Sequence, residues 1–166
     1  MDYYLVDVAS KFSGRLETVI WWEDFKVGET SDMGSHRFTQ QEIVAFAREF
    51  DPQPFHTDAE AAARSAFGGL IASGWHTCAI GMRLMVEGYI RRTASLGSPG
   101  VDNIRWLKPV RPGDTLAYRR IVLESRASAS RAGVGLVKHR WEALNQDGDV
   151  VLSMEGWGMF GRKPAA

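Results

Sequence analysis

Cysteine is almost missing from this chain: Cys78 is the only one in 166 residues. A single thiol forms neither an internal disulfide nor a multi-thiolate zinc site, a pattern that suits a reducing compartment. An excess of charge is missing too. Twenty Lys and Arg balance twenty Asp and Glu, so the basic surplus by which nucleic-acid binders neutralise phosphate is not there. No apolar run approaches the roughly 20 residues of a membrane-spanning helix. The start, Met1-Asp2-Tyr3-Tyr4, lacks the basic region and apolar core of a secretory signal. Internal repeats, low-complexity segments and linkers are also lacking. These absences lead us to expect a soluble, cytoplasmic protein that binds neither nucleic acid nor membrane.

What is present suits a folded domain. Hydrophobic residues make up 45% and charged residues 24%, ordinary values that exclude a disordered or fibrous chain. At this length about 70% of the unfolded surface would be buried, enough for a core without staples. Residues 1–166 therefore read as one domain. Net neutrality leaves no charge to hold copies apart and so permits self-association.

Helix signals cluster in the first half. Thr39-Gln40-Gln41-Glu42 has the form of a capping box, followed by Ile43, Val44, Phe46, Ala47 and Phe50 on one stripe. Thr57-Asp58-Ala59-Glu60 repeats the cap signature before a short helix that should stop at Gly68-Gly69. The longest candidate runs from about Gly74 to Arg92, with Trp75, Cys78, Ala79, Met82, Met85, Val86, Tyr89 and Ile90 at three- and four-residue steps. Arg91 and Arg92 suit the negative pole at its end, and Gly97-Ser98-Pro99-Gly100 breaks the pattern. Strand chemistry follows at Val101–Lys108, Thr115–Ser125, Gly133–Asn145 and Val150–Phe160, with Asp147-Gly148 as a hairpin turn. Glu17–Trp22 and Ser31–Arg37 are weaker strand candidates. The pattern predicts an α+β layering, an antiparallel sheet of five or more strands on one long helix.

One stretch carries chemistry: Asp51-Pro52-Gln53-Pro54-Phe55-His56-Thr57-Asp58. It reads as a loop between two capped helices, stiffened by two prolines. A carboxylate and an imidazole five positions apart on a stiff loop can aim at one small molecule and share the protons of a water. Residue types alone leave a second reading open, in which Asp51 caps a helix end and His56 is an ordinary loop histidine.

The run from Phe38 to Leu84, with Asp-Pro-Gln-Pro-Phe-His-Thr-Asp and then Phe-Gly-Gly-Leu-Ile-Ala-Ser-Gly, resembles the MaoC-like dehydratases, the group that includes the (R)-specific enoyl-CoA hydratases. Arg105-Trp106-Leu107-Lys108-Pro109-Val110, followed by Gly113-Asp114, resembles the strand and turn after the family's central helix. The resemblance implies a hot-dog fold, in which a sheet wraps one long helix, and a homodimer with its sites at the subunit interface. It carries the catalytic pair onto Asp51 and His56 and the helix-start glycine onto Gly74. The implied reaction is reversible addition of water to a trans-2-enoyl thioester, on coenzyme A or an acyl-carrier protein, giving an (R)-3-hydroxyacyl thioester. Attack at the β-carbon makes an enolate-like oxygen, which the Gly74 N–H at the positive end of the helix would receive.

Two residues depart from the family pattern. Gln53 stands where the motif usually has Asn, and Ser73 where many members have His. Ser73 could cap the helix, touch the thioester or fill space, and capping suits a serine best. Both positions, with Lys108 and Arg111 as candidate partners for coenzyme A phosphates, are the expected substrate contacts. No cofactor beyond the coenzyme A of the substrate is implied, and no metal: Asp51, His56, Asp58 and His76 match no zinc spacing. His76 and Cys78 read as packing residues, and Gly133-x-Gly135 lacks the helix a dinucleotide loop needs. A thioesterase on the same fold and a non-catalytic acyl-CoA-binding module are the rival readings.

Overall fold

The computed structural model describes residues 19–164. Helix α1 spans Gln40–Phe50, and Thr39 caps it by accepting from the Glu42 N–H at 3.2 Å. The reciprocal half of the capping box is not made, because the Glu42 carboxylate turns to His36 Nε2 at 2.6 Å. Ile43 and Ala47 of the expected stripe are buried, but Phe50 is 63% exposed. The next stretch is not wholly a loop. Pro54–Thr57 forms one helical turn, α2, with Pro54 opening it, where the missing N–H costs nothing. Asp58, rather than Thr57, caps α3 (Ala59–Ala63), accepting from the N–H groups of Glu60 and Ala61. This helix ends before Gly68-Gly69, where Gly68 takes φ 64°.

The central helix α4 runs Gly74–Gly88, about 22 Å at 1.5 Å per residue. It ends four residues earlier than expected. Tyr89 leaves the helix at φ −146°, Ile90–Arg92 form a 3-10 turn, and Arg92 Nη2 returns 2.8 Å to the Gly88 carbonyl. The buried face also differs from the predicted stripe. His76, Thr77, Ile80, Gly81, Leu84 and Met85 face inward, while Trp75, Ala79 and Met82 lie exposed. Gly81 brings helix and sheet together: a Cβ there would lie 3.1 Å from Tyr118, whose hydroxyl donates to the Thr77 carbonyl at 3.0 Å.

The sheet is antiparallel, in the order β1-β3-β4-β5-β2, with β1 Thr30–Arg37, β2 Gly100–Trp106, β3 Thr115–Ala127, β4 Val134–Leu144 and β5 Val150–Gly161. The β4–β5 turn is closed by Asn145 and Asp149, with Gly148 at φ 82°. The expected strand at Glu17–Trp22 is not formed in its described part: Ile20 makes one bridge to Thr93, and Trp22–Asp24 is a 3-10 turn, while Glu17 and Thr18 lie outside the described residues. Trp22 packs on Gly135 so closely that any side chain there would collide with it. Phe38, Ile43, Leu116, Val122 and Val137 form the dry layer between helix and sheet, each worth about 1.5–3 kcal/mol of burial. This wrapped sheet on one helix is a hot-dog fold, and β1 and β2 are its two edges. Among the described residues no helix is long and apolar enough to cross a membrane.

Candidate active site

Three segments meet at the N-terminal tip of α4. Asp51 ends α1, its N–H closing the helix on the Ala47 carbonyl. His56 sits in the α2 turn, and Ser73 immediately precedes α4. The His56 Nε2 lies 3.3 Å from Asp51 Oδ2. Ser73 Oγ donates to the same oxygen at 2.6 Å, and Gln53 Nε2 donates to Asp51 Oδ1 at 2.8 Å. Both carboxylate oxygens are thus oriented, one from the helix tip and one from the loop.

The other side of the imidazole is fixed as well. His56 Nδ1 lies 2.8 Å from the Ile71 carbonyl. A carbonyl only accepts, so Nδ1 carries a proton, and Nε2 is directed at Asp51: in the protonated ring it donates to the carboxylate, and in the neutral ring it is the free acceptor. His56 is 5% exposed, whereas the Asp51 side chain keeps 18%. Burial works to raise the Asp51 pKa and is the largest single influence. The hydrogen bonds from Ser73 and Gln53 and the charge of His56 together outweigh it, holding the carboxyl below the usual aspartate value.

Ser73 does two jobs. Its Oγ also accepts from the Trp75 N–H at 3.2 Å, so it caps α4 while tying Asp51 to that cap. The Gly74 N–H has no hydrogen-bond partner among the described residues. It stands at the positive end of the helix, an arrangement that receives an anion or a developing oxyanion. Gly74 is crowded by Trp106: a Cβ would lie within 2.7 Å of the indole.

Residues 24–140 match the family described as MaoC like domain. The chain belongs to this family. A MaoC-like dehydratase structure from Rhodospirillum rubrum is 42% identical, with a TM-score of 0.80 over 88% of this chain and 99% of that one. The uncharacterized protein YdeM of Bacillus subtilis (strain 168) is 31% identical over 68% of this chain and 79% of its own length. A shorter match, 42% over 62 residues, links 37% of the chain to 18% of the mesaconyl-CoA hydratase of Cereibacter sphaeroides.

Of the other expected site residues of this MaoC-like domain, Gln53 joins the site, whereas Lys108 and Arg111 have partners elsewhere. Gln53 holds Asp51. Lys108 pairs with Asp149 at 2.6 Å, beside the β4–β5 turn. Arg111 Nη2 donates to the Phe67 carbonyl at 2.6 Å, bracing the segment that leads from α3 to α4. His76 is a packing residue, stacked on Phe46 at 4.6 Å, its pKa lowered chiefly by burial. Cys78 is half-buried, and burial is the main reason its thiol pKa is raised. Two contributors escaped the sequence reading. The Ile71 carbonyl is backbone, which any residue supplies, so no signal could mark it. Trp106 carried a signal, an aromatic side chain closing the strand after the central helix, but only the fold brings it onto Gly74. Two cavities, one lined by Arg105, Arg140 and Glu155 on the sheet and one by Tyr89, Arg92 and Arg120 near the far end of α4, lie away from the pair.

Proposed function

We propose that this chain is an enzyme of the hydratase and dehydratase kind, adding water reversibly to a trans-2-enoyl thioester to give an (R)-3-hydroxyacyl thioester. The observation that carries the reading is the Asp51–His56 contact at 3.3 Å, tied through Ser73 to the tip of α4. Membership of the MaoC-like family and the match to a mesaconyl-CoA hydratase support the same chemistry. Asp51 and His56 hold one water between them. As its oxygen bonds to the β-carbon, the pair takes the water's proton, and the double-bond electrons move onto the thioester oxygen. The Gly74 N–H stabilises that oxygen, and return of a proton to the α-carbon completes the addition. The carrier is coenzyme A or an acyl-carrier protein, and its thioester is the substrate rather than a resident cofactor.

The working unit in this proposal is a homodimer. Trp75 and Met82 on the outer face of α4, with Val101, Trp106 and Leu107 on or just after edge strand β2, are 47% to 56% exposed. An apolar surface of this kind beside an open sheet edge suits a second copy.

The test incubates the protein with crotonyl-CoA and follows the conjugated double bond together with free thiol. Loss of the double bond without thiol is the expected result. Thiol release would mark a thioesterase, and binding without either change would mark a non-catalytic module.

A further inference from the structure

The sheet carries a cavity of about 460 Å³ whose lining includes Asn103, Arg105, Arg140, Glu142, Ser153 and Glu155. Its volume falls in the range of small-molecule sites. Arg140 and Glu142 alternate along β4 with the buried His139 and Ala143, so the cavity opens on the face turned away from α4. A bulge in β2 brings Arg105 to it. Asp102 pairs with Glu155 and Arg105 with Ser153, so β2 has one residue more than β5 between these pairs, and Asn103 takes φ 46° there. The extra residue resets the alternation of the strand. Ile104 packs on the core, Arg105 turns outward onto the cavity, and Trp106 turns inward onto Gly74.

The two carboxylates of the cavity are already matched. Glu142 pairs with Arg119 at 2.6 Å, and Glu155 with Arg140 at 2.7 Å and with Lys138 at 3.3 Å. The donors are not. Arg140 spends Nε and Nη2 on Glu155, but its Nη1 and the side chains of Asn103, Arg105 and Ser153 have no hydrogen-bond partner among the described residues. With the ion-pair partners included, four cations face two carboxylates, a local positive excess on a chain that is neutral as a whole.

We propose that this cavity binds the phosphate of a small phosphomonoester distinct from the thioester substrate. Unspent donors from four side chains suit the three terminal oxygens of a phosphomonoester better than the two of a carboxylate, and arginine forks match such oxygens in pairs. The cavity is larger than a phosphate and leaves room for an organic body. Because Arg105 and Trp106 point to opposite faces of β2, the site is separated by the sheet from the Asp51–His56 pair at the tip of α4. A second copy paired along β2 would bond to the edge of the strand and leave this face open.

The experiment measures AMP binding by calorimetry, with inorganic phosphate and adenosine as the two halves of the probe. AMP should bind to the wild type, inorganic phosphate should displace it, and adenosine should not bind. Arg105→Gln should weaken AMP by about tenfold or more, the usual effect of losing a hydrogen bond to a charged group. Asn103→Gly, which suits the left-handed backbone and removes one donor, should weaken it by less. Arg126→Gln removes a cation that lies over Trp157 instead and should leave AMP affinity unchanged. Butyryl-CoA should not compete with AMP. Thermal unfolding checks that each variant is folded. No AMP binding, or binding that Arg105→Gln leaves intact, would overturn the proposal. So would an equal loss in Arg126→Gln, the mark of a diffuse field, and so would competition by butyryl-CoA, which would make the cavity part of the thioester site.

Discussion

His56 and His139 are almost equally withdrawn from solvent, at 5% and 0% exposed, yet their surroundings are opposite. His56 has an acceptor at Nδ1, the Ile71 carbonyl, and a carboxylate at Nε2. His139 has no partner for either ring nitrogen among the described residues. It packs against Phe25, Tyr89, Trp141 and Phe160, and burial, followed by the charge of Arg120, pushes its pKa down to about 3. One imidazole is held by directional partners beside a solvent-touched carboxylate, as the proposed proton transfer needs, and the other is a neutral aromatic plug. Burial does not make a site. Directional partners beside a solvent-touched carboxylate do.

The sharpest test of that contrast is substitution of each histidine. His56→Ala should lower kcat for enoyl-CoA hydration by about 10²–10⁴, while His139→Leu should leave kcat within about threefold of wild type. A similar loss in both variants would erase the distinction. Next in size is the crowding at the helix tip. Gly74→Ala forces the indole of Trp106 aside and should cost about 1–3 kcal/mol in denaturant unfolding. Combining it with Trp106→Leu should return most of that loss.

The buried plug makes a smaller, pH-dependent prediction. Because the folded pKa of His139 lies below the ordinary imidazole value of 6.5, the unfolded chain binds this proton first. The stability it contributes is complete above about pH 6.5 and falls as the pH drops from there through about 3. The slope for one proton is about 1.4 kcal/mol per pH unit. Unfolding curves at pH 7 and 5 should show this loss in the wild type and a flatter response in His139→Leu. Smallest is Ser73→Ala, expected to cost about 0.5–2 kcal/mol as a lost cap. It also removes a hydrogen bond that lowers the Asp51 pKa. The acid limb of kcat/KM due to Asp51, held below the ordinary aspartate value in the wild type, should move upward in pH.

Strands were legible from residue chemistry because β-branched and aromatic runs stop at glycine and proline. Val150–Gly161 extends one residue beyond expectation, and Val134–Leu144 falls one short at each end. The central helix was legible as a helix but not as an oriented one. Both its faces carry apolar residues, so the periodicity followed the outward Trp75, Ala79 and Met82 and the half-buried Cys78, and passed over the buried Thr77, Ile80 and Leu84. Side-chain partners were harder still, because a charge takes the nearest opposite group that the fold provides. Glu42 left its capping role for His36, and Lys108 was taken by Asp149. At the site, the motif pointed to Asp51 and His56, and these two do converge. It could not show Ser73 joining the acid to the helix cap, a contact across 22 residues of chain.

The central claim is that Asp51 and His56 activate a water for addition at a β-carbon. Its most direct test is hydration of crotonyl-CoA in oxygen-18 water by the wild type and by Asp51→Asn, which keeps the shape of the carboxylate but removes its charge. The wild type should place the heavy oxygen on the β-carbon hydroxyl and leave the thioester intact. The variant should fold normally and form that product about 10²–10⁴ times more slowly. Label in a free carboxylic acid, or unchanged turnover by Asp51→Asn, would contradict the account.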